Sequence, residues 1–492
     1  MDKITENTFL KGYNDVAKVL RKELGLGTAD ITYYSKVMEW NEWYKGYVKE
    51  FHNVSCSNGV NVVKRDIYML KMAKRVAEDW ASAVLSEPVS IAIEGDRNKS
   101  SVFVQGSRGD GGVLGSNDFT LLLSDALETS FALGSSALVV GLDIEEVNDS
   151  DNILISNKNR ISLQVFDALS IIPISWNKTK VTECAFLSYI TKDGKTFRLL
   201  NVHVKGDNGY VIRNFVLDKD GMEISSLDFG IVDILETHSL VPYFVIFRPN
   251  IVNNISRLTP LGVSIFADSI DNLKGCDIGY DACIREVITG QRIIFFNKML
   301  LTTDDTGRPI VPNDARQSYM QFFGDEALSD VKEFIKEFHP TLNTENLNKE
   351  LQNQLNMLSM KCGLGSHYYN FSIVSGVTAT EYLGEHQDFQ RNAVKQCSFI
   401  KTCIRDLVKA ILSAGKVFLG AAVNPDVKIV VTMSDGFVED DTKQREQDRL
   451  DVKEGLMSKA EYRAKWYGET IEQAKEVLDA MAGNTPKTEE VE

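Results

Sequence analysis

Two short stretches of this sequence carry residue types that take part in chemistry in other proteins, and the first is Asp305-Thr306-Gly307. In aspartic proteases two such loops bring two carboxyl groups together so that they share one proton. An apolar strand leads into the aspartate of a protease, whereas Thr302-Thr303-Asp304 precede the triplet here and Arg308-Pro309 follow it. A surface turn is the favoured interpretation, and an aspartic-type hydrolase that uses Asp305 stays as the less favoured alternative.

The second stretch, Gly194-Lys195-Thr196, resembles the end of a phosphate-binding loop. That loop needs a glycine five residues before Gly194, and Tyr189 occupies the position. Asp193-Gly194 is also a strong two-residue hairpin signal between two β-rich runs. We therefore predict a β-hairpin here, without a nucleotide site and without a cofactor.

Histidines and cysteines form no metal-binding or catalytic pattern in the sequence. None of the six histidines lies three or four residues from another, and the seven cysteines include no Cys-x-x-Cys pair and no zinc-ligand spacing. Residues that are distant in sequence can still converge in a fold. From the sequence we predict no catalytic residue, no metal and no cofactor, which favours a structural or mechanical protein over an enzyme.

The overall charge limits the kinds of partner. The 492 residues include 54 Lys and Arg against 69 Asp and Glu, a net charge of −15. Tight non-specific binding of nucleic acid needs clustered basic residues. The charge thus argues against a broad DNA-gripping surface, although not against contact with DNA that slides past. No apolar stretch approaches the ~20 residues of a membrane-spanning helix, and residues 1–6 lack the pattern of a secretory signal, so we expect synthesis in a cytoplasm.

The first 255 residues or so predict a mixed α+β domain. Residues 64–85 carry apolar side chains at three- and four-residue spacing and predict an amphipathic helix closed by Pro88, and residues 118–133 predict another helix. From residue 184 to 227 the period changes to two, and three turn signals in a row predict an antiparallel meander. The turn signals are Asp193-Gly194, Asn208-Gly209 and Asp220-Gly221.

A heptad stripe follows Thr259-Pro260, where proline favours the start of a helix. Asp277 interrupts the stripe, and polar residues surround it. This pattern favours a helix that packs against copies of itself over one that is buried in a monomeric core. The apolar residues of the stripe are Phe266, Ile270, Leu273, Tyr280, Ile284 and Val287. The polar residues that we expect to be exposed are Asp268, Asp271, Lys274 and Asp281.

Short strands, two helices and an acidic segment follow. Residues 292–342 predict short strands and turns with an amphipathic segment at 328–338, which together form a small α/β insertion. Leucines lie on one helical face from residue 347 to 358, before a left-handed cap at Cys362-Gly363. After a loop at 365–377 the pattern predicts a helix of over about 30 residues. From residue 435 onward 16 acidic residues outnumber 9 basic ones, which predicts an exposed acidic helical segment.

Several segments, taken together and in their order along the chain, form a recognisable set. They are Trp43-Tyr44-Lys45-Gly46, residues 72–80, Glu87-Pro88-Val89, residues 260–264, residues 273–286, Lys361-Cys362-Gly363-Leu364, residues 375–381 and residues 455–463. As a set they resemble the portal proteins of tailed bacteriophages, in the branch common in phages of Gram-positive bacteria. The resemblance extends over most of the chain.

The resemblance implies an α+β portal-type fold with an α/β wing, two stem helices that flank a small α/β clip, a long helix and a helical crown. It also implies a ring of about twelve identical subunits, closed by heterologous interfaces around a pore. In chain order the segments would be the wing (1–260), the first stem helix (261–290), the clip (291–342), the second stem helix (343–362), the tunnel loop (363–378), the long helix with the return to the wing (379–434) and the acidic crown (435–492).

The same resemblance implies a DNA channel at one capsid vertex that serves capsid assembly, genome packaging, head-tail joining and DNA ejection. The implied partners are the terminase large subunit, a head-completion adaptor protein, the major capsid and scaffolding proteins, and double-stranded DNA that passes without sequence specificity. The protein would be made in the host cytoplasm and reside in the virion. Another oligomeric phage head component, a scaffold or capsid subunit, is the alternative.

The resemblance finally implies which residues reach the DNA. A polar and aromatic cluster in the tunnel loop would contact DNA mainly by sterics, with Lys361 as a weak phosphate contact. Ordinary packing or subunit contact is the alternative role for each of these residues. The cluster consists of Ser366, His367, Tyr368, Tyr369 and Asn370.

Overall fold

The computed structural model describes residues 6–25, 31–57, 62–95, 98–107, 111–143, 146–149, 152–155, 160–178, 180–290, 293–297, 305, 318–322, 335–370, 379–433, 441–467, 474–475 and 477–478. The chain divides into two compact units, residues 1–435 and residues 436–492. Helices and strands are mixed along the first unit, which confirms the predicted α+β class.

The helices and strands have the following bounds. The helices of the first unit are α1 (Glu6–Leu24), α2 (Ile31–Lys45), α3 (Lys49–His52), α4 (Met72–Val84), α5 (Lys99–Gln105), α6 (Gly112–Ser116), α7 (Phe119–Leu133), α8 (Ile270–Thr289), α9 (Thr344–Lys361) and α10 (Ala379–Phe418), and those of the second unit are α11 (Asp441–Glu454) and α12 (Lys459–Tyr467). The strands are β1 (Asn53–Ser57), β2 (Val62–Asp66), β3 (Ser90–Glu94), β4 (Ser136–Asp143), β5 (Glu146–Asp149), β6 (Asn152–Ile155), β7 (Arg160–Asp167), β8 (Ile171–Asn177), β9 (Lys180–Lys192), β10 (Lys195–Gly206), β11 (Gly209–Leu217), β12 (Glu223–Ile224), β13 (Ile234–Glu236), β14 (Phe244–Phe247), β15 (Ile293–Asn297), β16 (Ser318–Phe322), β17 (Ile335–Phe338) and β18 (Lys428–Thr432).

The predicted meander is the largest sheet, in the order β12-β11-β10-β9-β8, with β13 also paired to β11. Lys192 pairs with Lys195 across a two-residue turn, and both turn residues have positive φ, 51° for Asp193 and 72° for Gly194. Positive φ at both positions matches the twist of antiparallel strands. The meander is confirmed, and the stretch that resembles a phosphate-binding loop is a β-hairpin.

A second sheet, in the order β14-β4-β7, lies at the centre of the first unit. The helices α7 and α10 pack against it, and large aromatic side chains such as Phe131 and Phe247 are fully buried there. Each such side chain contributes about 1.5–3 kcal/mol through removal from water. The predicted long helix is confirmed as α10, whose 40 residues span roughly 60 Å at 1.5 Å per residue.

The helix predicted over residues 64–85 is present only from Met72, so the prediction was wrong for residues 64–71. Residues 62–66 form β2, which pairs antiparallel with β1, with Val54 opposite Arg65. Lys71, just before the helix, has a φ of 58°. The helical spacing was misleading here because Ile67, although buried, belongs to an extended segment and not to a helix.

The helix predicted to start at Thr259-Pro260 starts at Ile270, after a turn of 3-10 helix at residues 267–269. The residues in between are buried and bonded elsewhere. The Gly262 amide donates to Ser135 Oγ at 3.0 Å, and the Ile265 amide donates to the Phe131 carbonyl at 2.9 Å. Contacts to α7 therefore hold this segment in a non-helical path, which the local pattern does not reveal.

The helices α8 and α9 pack against each other along a line of glycines. A Cβ atom on Gly275 would lie 2.6 Å from Gln354 Oε1, and a Cβ atom on Gly279 would lie 3.4 Å from Leu351 Cδ1. The predicted leucine face of α9 is largely confirmed, since its members from residue 351 onward are buried. The close approach follows because these two positions of α8 carry no side chain.

Three short strands lie between α8 and α9 in the chain. They form a sheet in the order β16-β15-β17, with β15 parallel to β16 and antiparallel to β17. Of the amphipathic segment predicted at 328–338, residues 335–338 are a strand, and residues 328–334 lie outside the described part of the chain. The small α/β insertion thus contains strands at the predicted place.

The second unit contains the pair α11 and α12. A reciprocal capping box begins α12: the Glu461 amide donates to Ser458 Oγ at 3.2 Å, and the Ser458 amide donates to Glu461 Oε2 at 2.9 Å. Asp448 on α11 accepts a hydrogen bond from the Trp466 indole on α12 at 2.8 Å. The helices predicted after residue 435 are present in the described residues of this unit.

The buried histidine of β10 makes stability depend on pH. His203 is fully buried against the rings of Phe186 and Phe244, and burial lowers its pKa to about 3. An unfolded histidine has a pKa of about 6.5, so the unfolded chain binds a proton that the folded chain does not. We expect stability to fall as the pH drops from about 6.5 toward 3, by up to about 1.4 kcal/mol per pH unit.

The change His203→Gln should flatten this acid dependence, because glutamine does not titrate and can still donate to Asn201 Oδ1, which accepts from His203 now. Chemical unfolding between pH 7 and pH 4 measures the effect. His238→Gln is the control, because His238 is exposed in the same part of the chain. An unchanged acid dependence in His203→Gln would contradict the assignment.

Candidate DNA-channel site

The loop after α9 begins at two glycines with left-handed backbone. Gly363 has a φ of 80° and Gly365 a φ of 95°, and the first of these ends α9 as the sequence predicts. A Cβ atom on Gly363 would lie 3.1 Å from Asn392 Nδ2 and 3.4 Å from the Trp80 ring. Both the conformation and the space therefore favour glycine at the base of the loop.

The six residues predicted to reach DNA fall into two groups. The exposed group consists of Lys361, Ser366, His367 and Asn370, whereas Tyr368 and Tyr369 are half-buried. The Lys361 ammonium lies 3.4 Å from the main-chain oxygen of Asp268. Among the described residues, the first group is thus accessible to solvent, and its contact with DNA stays a prediction.

Tyr369 is attached to the helix α4. Its hydroxyl donates to Asp79 Oδ2 at 2.8 Å, and its main-chain oxygen accepts from Gln352 Nε2 at 2.7 Å. Arg75, one turn earlier on α4, also contacts the Asp79 carboxylate at 2.8 Å. Burial raises the pKa of Asp79, while the Tyr369 hydrogen bond and Arg75 act in the opposite direction.

The base of the loop is attached to α4 and α10 as well. The Trp80 indole donates to the Cys362 carbonyl at 2.9 Å, and Asn392 Nδ2 donates to the Gly363 carbonyl at 3.0 Å. Phe389 of α10 packs its ring between those of Trp80 and Tyr368, at centroid distances of 5.4 and 5.5 Å. In this chain the two loop tyrosines make packing contacts, the role given above as the alternative to contact with DNA.

The heptad stripe at α8 is covered unevenly. Phe266, which precedes the helix, and Leu273 are buried within the chain. Farther along, Val287 is 56% exposed. The remaining members are half-buried and consist of Ile270, Tyr280 and Ile284. The first part of the stripe therefore belongs to the core of this chain, and the last part is accessible for contact with other subunits.

Asp281 corrects a prediction, since it is buried rather than exposed. It accepts two hydrogen bonds from the Arg65 guanidinium, at 2.8 and 2.7 Å, and one from the Tyr68 amide at 3.0 Å. The hydrogen bonds from Arg65 lower the pKa of Asp281. One turn earlier, Asp277 accepts from the Leu70 amide at 2.6 Å.

These two aspartates fasten α8 to the extended segment 65–70, a contact that sequence reasoning missed. The sequence does contain one signal for this contact: Asp277 and Asp281 are four residues apart, which places both on the same face of a helix. Two of their donors are the main-chain amides of Tyr68 and Leu70, which carry no sequence signature.

The chemistry-bearing residues do not come together in the described residues. No group of three or more His, Cys, Asp or Glu that could hold a metal lies within the described ranges. Asp305 is exposed, and the other two residues of its triplet lie outside them. Burial raises the pKa of the Cys362 thiol to about 12, which makes it a poor nucleophile. Within the described ranges, every helix is too short or too polar to span a membrane.

Comparison with known proteins decides the family. The family model described as phage portal protein, SPP1 Gp6-like, matches residues 28–482. The chain belongs to this family. A search of curated proteins found no match. The resemblance seen in the sequence is thus confirmed, on a match that covers most of the chain.

Portal proteins of this family are structural proteins of the phage capsid that form oligomeric rings and associate with DNA. This portal accordingly forms the ring-shaped DNA channel at one capsid vertex. It serves capsid assembly, genome packaging, head-tail joining and DNA ejection.

The contact of α8 with residues 65–70 gives a testable stability difference. We expect Asp281→Ala to destabilise the first unit by about 2–4 kcal/mol, because it removes the acceptor shared by Arg65 and the Tyr68 amide. The lowered pKa of Asp281 means that its contribution is complete at neutral pH and is lost as the pH falls through that pKa. Chemical unfolding at pH 7 measures the difference.

Asp271→Ala is the matched control on the same helix. The Asp271 side chain is 92% exposed and pairs with Lys274 in water, so its removal should cost less than about 1 kcal/mol. Equal stability of the two variants would show that the Arg65 contact does not hold α8 in place.

Proposed function

We propose that this portal has the segment order of its family. In this proposal residues 1–260 are most of the wing, α8 and α9 are the two stem helices, and β15, β16 and β17 belong to the clip. Residues 363–378 are the tunnel loop, α10 is the long helix, and residues 435–492 form the crown. The observation that carries the proposal is the family match over residues 28–482, supported by the order helix, small sheet, helix, loop and long helix.

The ring would contain about twelve subunits, closed by heterologous contacts. The accessible end of the α8 stripe is the part that we assign to contacts between neighbouring stems. Val287 is exposed there, and Tyr280 and Ile284 are half-buried. Because Phe266 and Leu273 already lie in the core of their own chain, the self-packing contact would lie toward the clip end of α8.

The inner surface of the ring would be lined by the exposed loop residues. We assign Ser366, His367 and Asn370 to this surface, with Lys361 as a weak phosphate contact. Tyr368 and Tyr369 would act mainly as the support of the loop. A net charge of −15 supports passage of DNA without tight binding, since phosphates adhere to clustered cations.

The partners of the portal would differ by task. The terminase large subunit would dock for packaging and supply the nucleotide hydrolysis, and the head-completion adaptor would bind afterwards. The major capsid and scaffolding proteins would surround the portal during assembly. The portal itself would have no enzymatic activity, which agrees with the hairpin geometry of Gly194-Lys195-Thr196.

The assembly state is the direct test. We expect purified full-length protein to form rings with a central hole and a mass near 660 kDa, about twelve copies of 55.0 kDa. Native mass spectrometry and negative-stain images measure this. Shells or filaments would favour a scaffold or capsid subunit instead.

A variant tests the hydrolase alternative. Asp305→Asn should leave ring formation unchanged. If the unmodified protein has a hydrolytic activity that Asp305→Asn abolishes, that result would support the hydrolase alternative.

The channel assignment predicts a charge effect at the loop. His367→Lys should slow DNA packaging or release about tenfold at low salt, because a ring of about twelve subunits would add about twelve cations around the bore. The effect should weaken as salt rises. DNA release from purified virions at several salt concentrations measures it.

Asn208→Lys is the control for that experiment, because it adds the same charge at an exposed hairpin turn of the wing. If both variants release DNA alike, or if His367→Lys behaves as the unmodified protein at all salt concentrations, residue 367 does not face the channel.

A further inference from the structure

A buried carboxylate joins the loop to the wing. Asp79 is only 6% exposed, although it lies on the amphipathic helix α4 one turn after Arg75, whose side chain is 58% exposed. A carboxylate removed from water is unfavourable unless hydrogen-bond donors replace the water. Two such donors are the Arg75 guanidinium and the Tyr369 hydroxyl.

The Tyr369 hydroxyl is well suited to this contact. Burial and the neighbouring Asp79 carboxylate raise the pKa of the hydroxyl, so it keeps its proton and donates it. Hydrogen bonds to a charged acceptor are shorter and about twice as strong as those between neutral groups. Asp79 and Tyr369 are separated by 290 residues in the sequence, so the bond fixes one distant segment on another.

The bond completes a loop that is held at two points. The first point is the end of α9, where Trp80 and Asn392 bind the carbonyls of Cys362 and Gly363. The second point is Tyr369, held through its side chain by Asp79 and through its main chain by Gln352 of α9. The segment 364–368 between these points carries Ser366 and His367, two of the exposed residues that we assign to the channel.

We propose that Asp79 is a positioning residue of the DNA channel. By accepting the Tyr369 hydrogen bond, it draws the second point of the loop onto α4 and sets how far Ser366 and His367 extend toward passing DNA. The channel part of this inference rests on the proposed function, whereas the contact between Asp79 and Tyr369 stands on the geometry. Loss of the contact leaves the loop held at its base, by Gln352 and by the packing of Tyr368 on Phe389.

Hydrogen exchange in full-length protein tests the contact. In Tyr369→Phe, which removes only the hydroxyl, we expect amides in a peptide spanning residues 363–370 to exchange about tenfold faster or more, since a hydrogen bond to a charged group is lost. Asp79→Ala should have an effect at least as large. In the double variant the exchange should be no faster than in Asp79→Ala, because both changes remove the same bond.

Two matched variants control for general effects. Glu78→Ala removes the neighbouring carboxylate of α4, and Tyr189→Phe removes the hydroxyl of an exposed tyrosine on β9, and both should leave the peptide unchanged. Unchanged exchange in Tyr369→Phe would overturn the proposal, even if Asp79→Ala fails to fold.

A DNA readout tests the channel part. Virions with Tyr369→Phe should package or release DNA at an altered rate, while virions with Tyr189→Phe should not. Faster exchange with unaltered DNA passage would overturn the positioning role and leave only a packing contact. If the unmodified protein forms no rings, the proposed ring and its channel lining fail on that result, and the exchange data still decide whether Asp79 holds the loop.

Discussion

Three buried carboxylates help to fix the positions of the helices α4 and α8 in the first unit. Asp79 on α4 and Asp277 and Asp281 on α8 are all buried, and a buried charge without partners costs several kcal/mol. Each receives donors from a distant segment, Tyr369 for the first and the segment 65–70 for the other two. Since a small displacement would leave a donor or an acceptor unsatisfied, these contacts fix positions as well as contributing stability.

The parts of the fold that depend on local sequence could be predicted. The hairpin at Asp193-Gly194 needs only two residues that tolerate positive φ between alternating strands, and the structure has it. The cap at Gly363 and the length of α10 follow in the same way from a glycine signal and from a long apolar stripe. The family could be recognised because its segments keep their order over most of the chain, a kind of evidence that periodicity does not contain.

The sequence-based predictions were wrong where contacts with distant segments outweigh the preference of the local sequence. Residues 261–266 follow Pro260, which favours a helix, yet hydrogen bonds to Ser135 and Phe131 hold them in another path. Asp281 occupies a polar position of a heptad and was expected in solvent, whereas it accepts three hydrogen bonds from Arg65 and Tyr68. In the loop, sequence could select the aromatic pair, but only the structure shows the hydroxyl of Tyr369 on α4.

The glycine line between α8 and α9 has a mechanical consequence. Gly275 and Gly279 face Gln354 and Leu351, and a side chain at position 275 would have to displace the Gln354 amide. Axial sliding of one helix along the other would replace hydrogen atoms by side chains at the narrowest points. The close packing at these two positions therefore opposes axial sliding of α8 along α9.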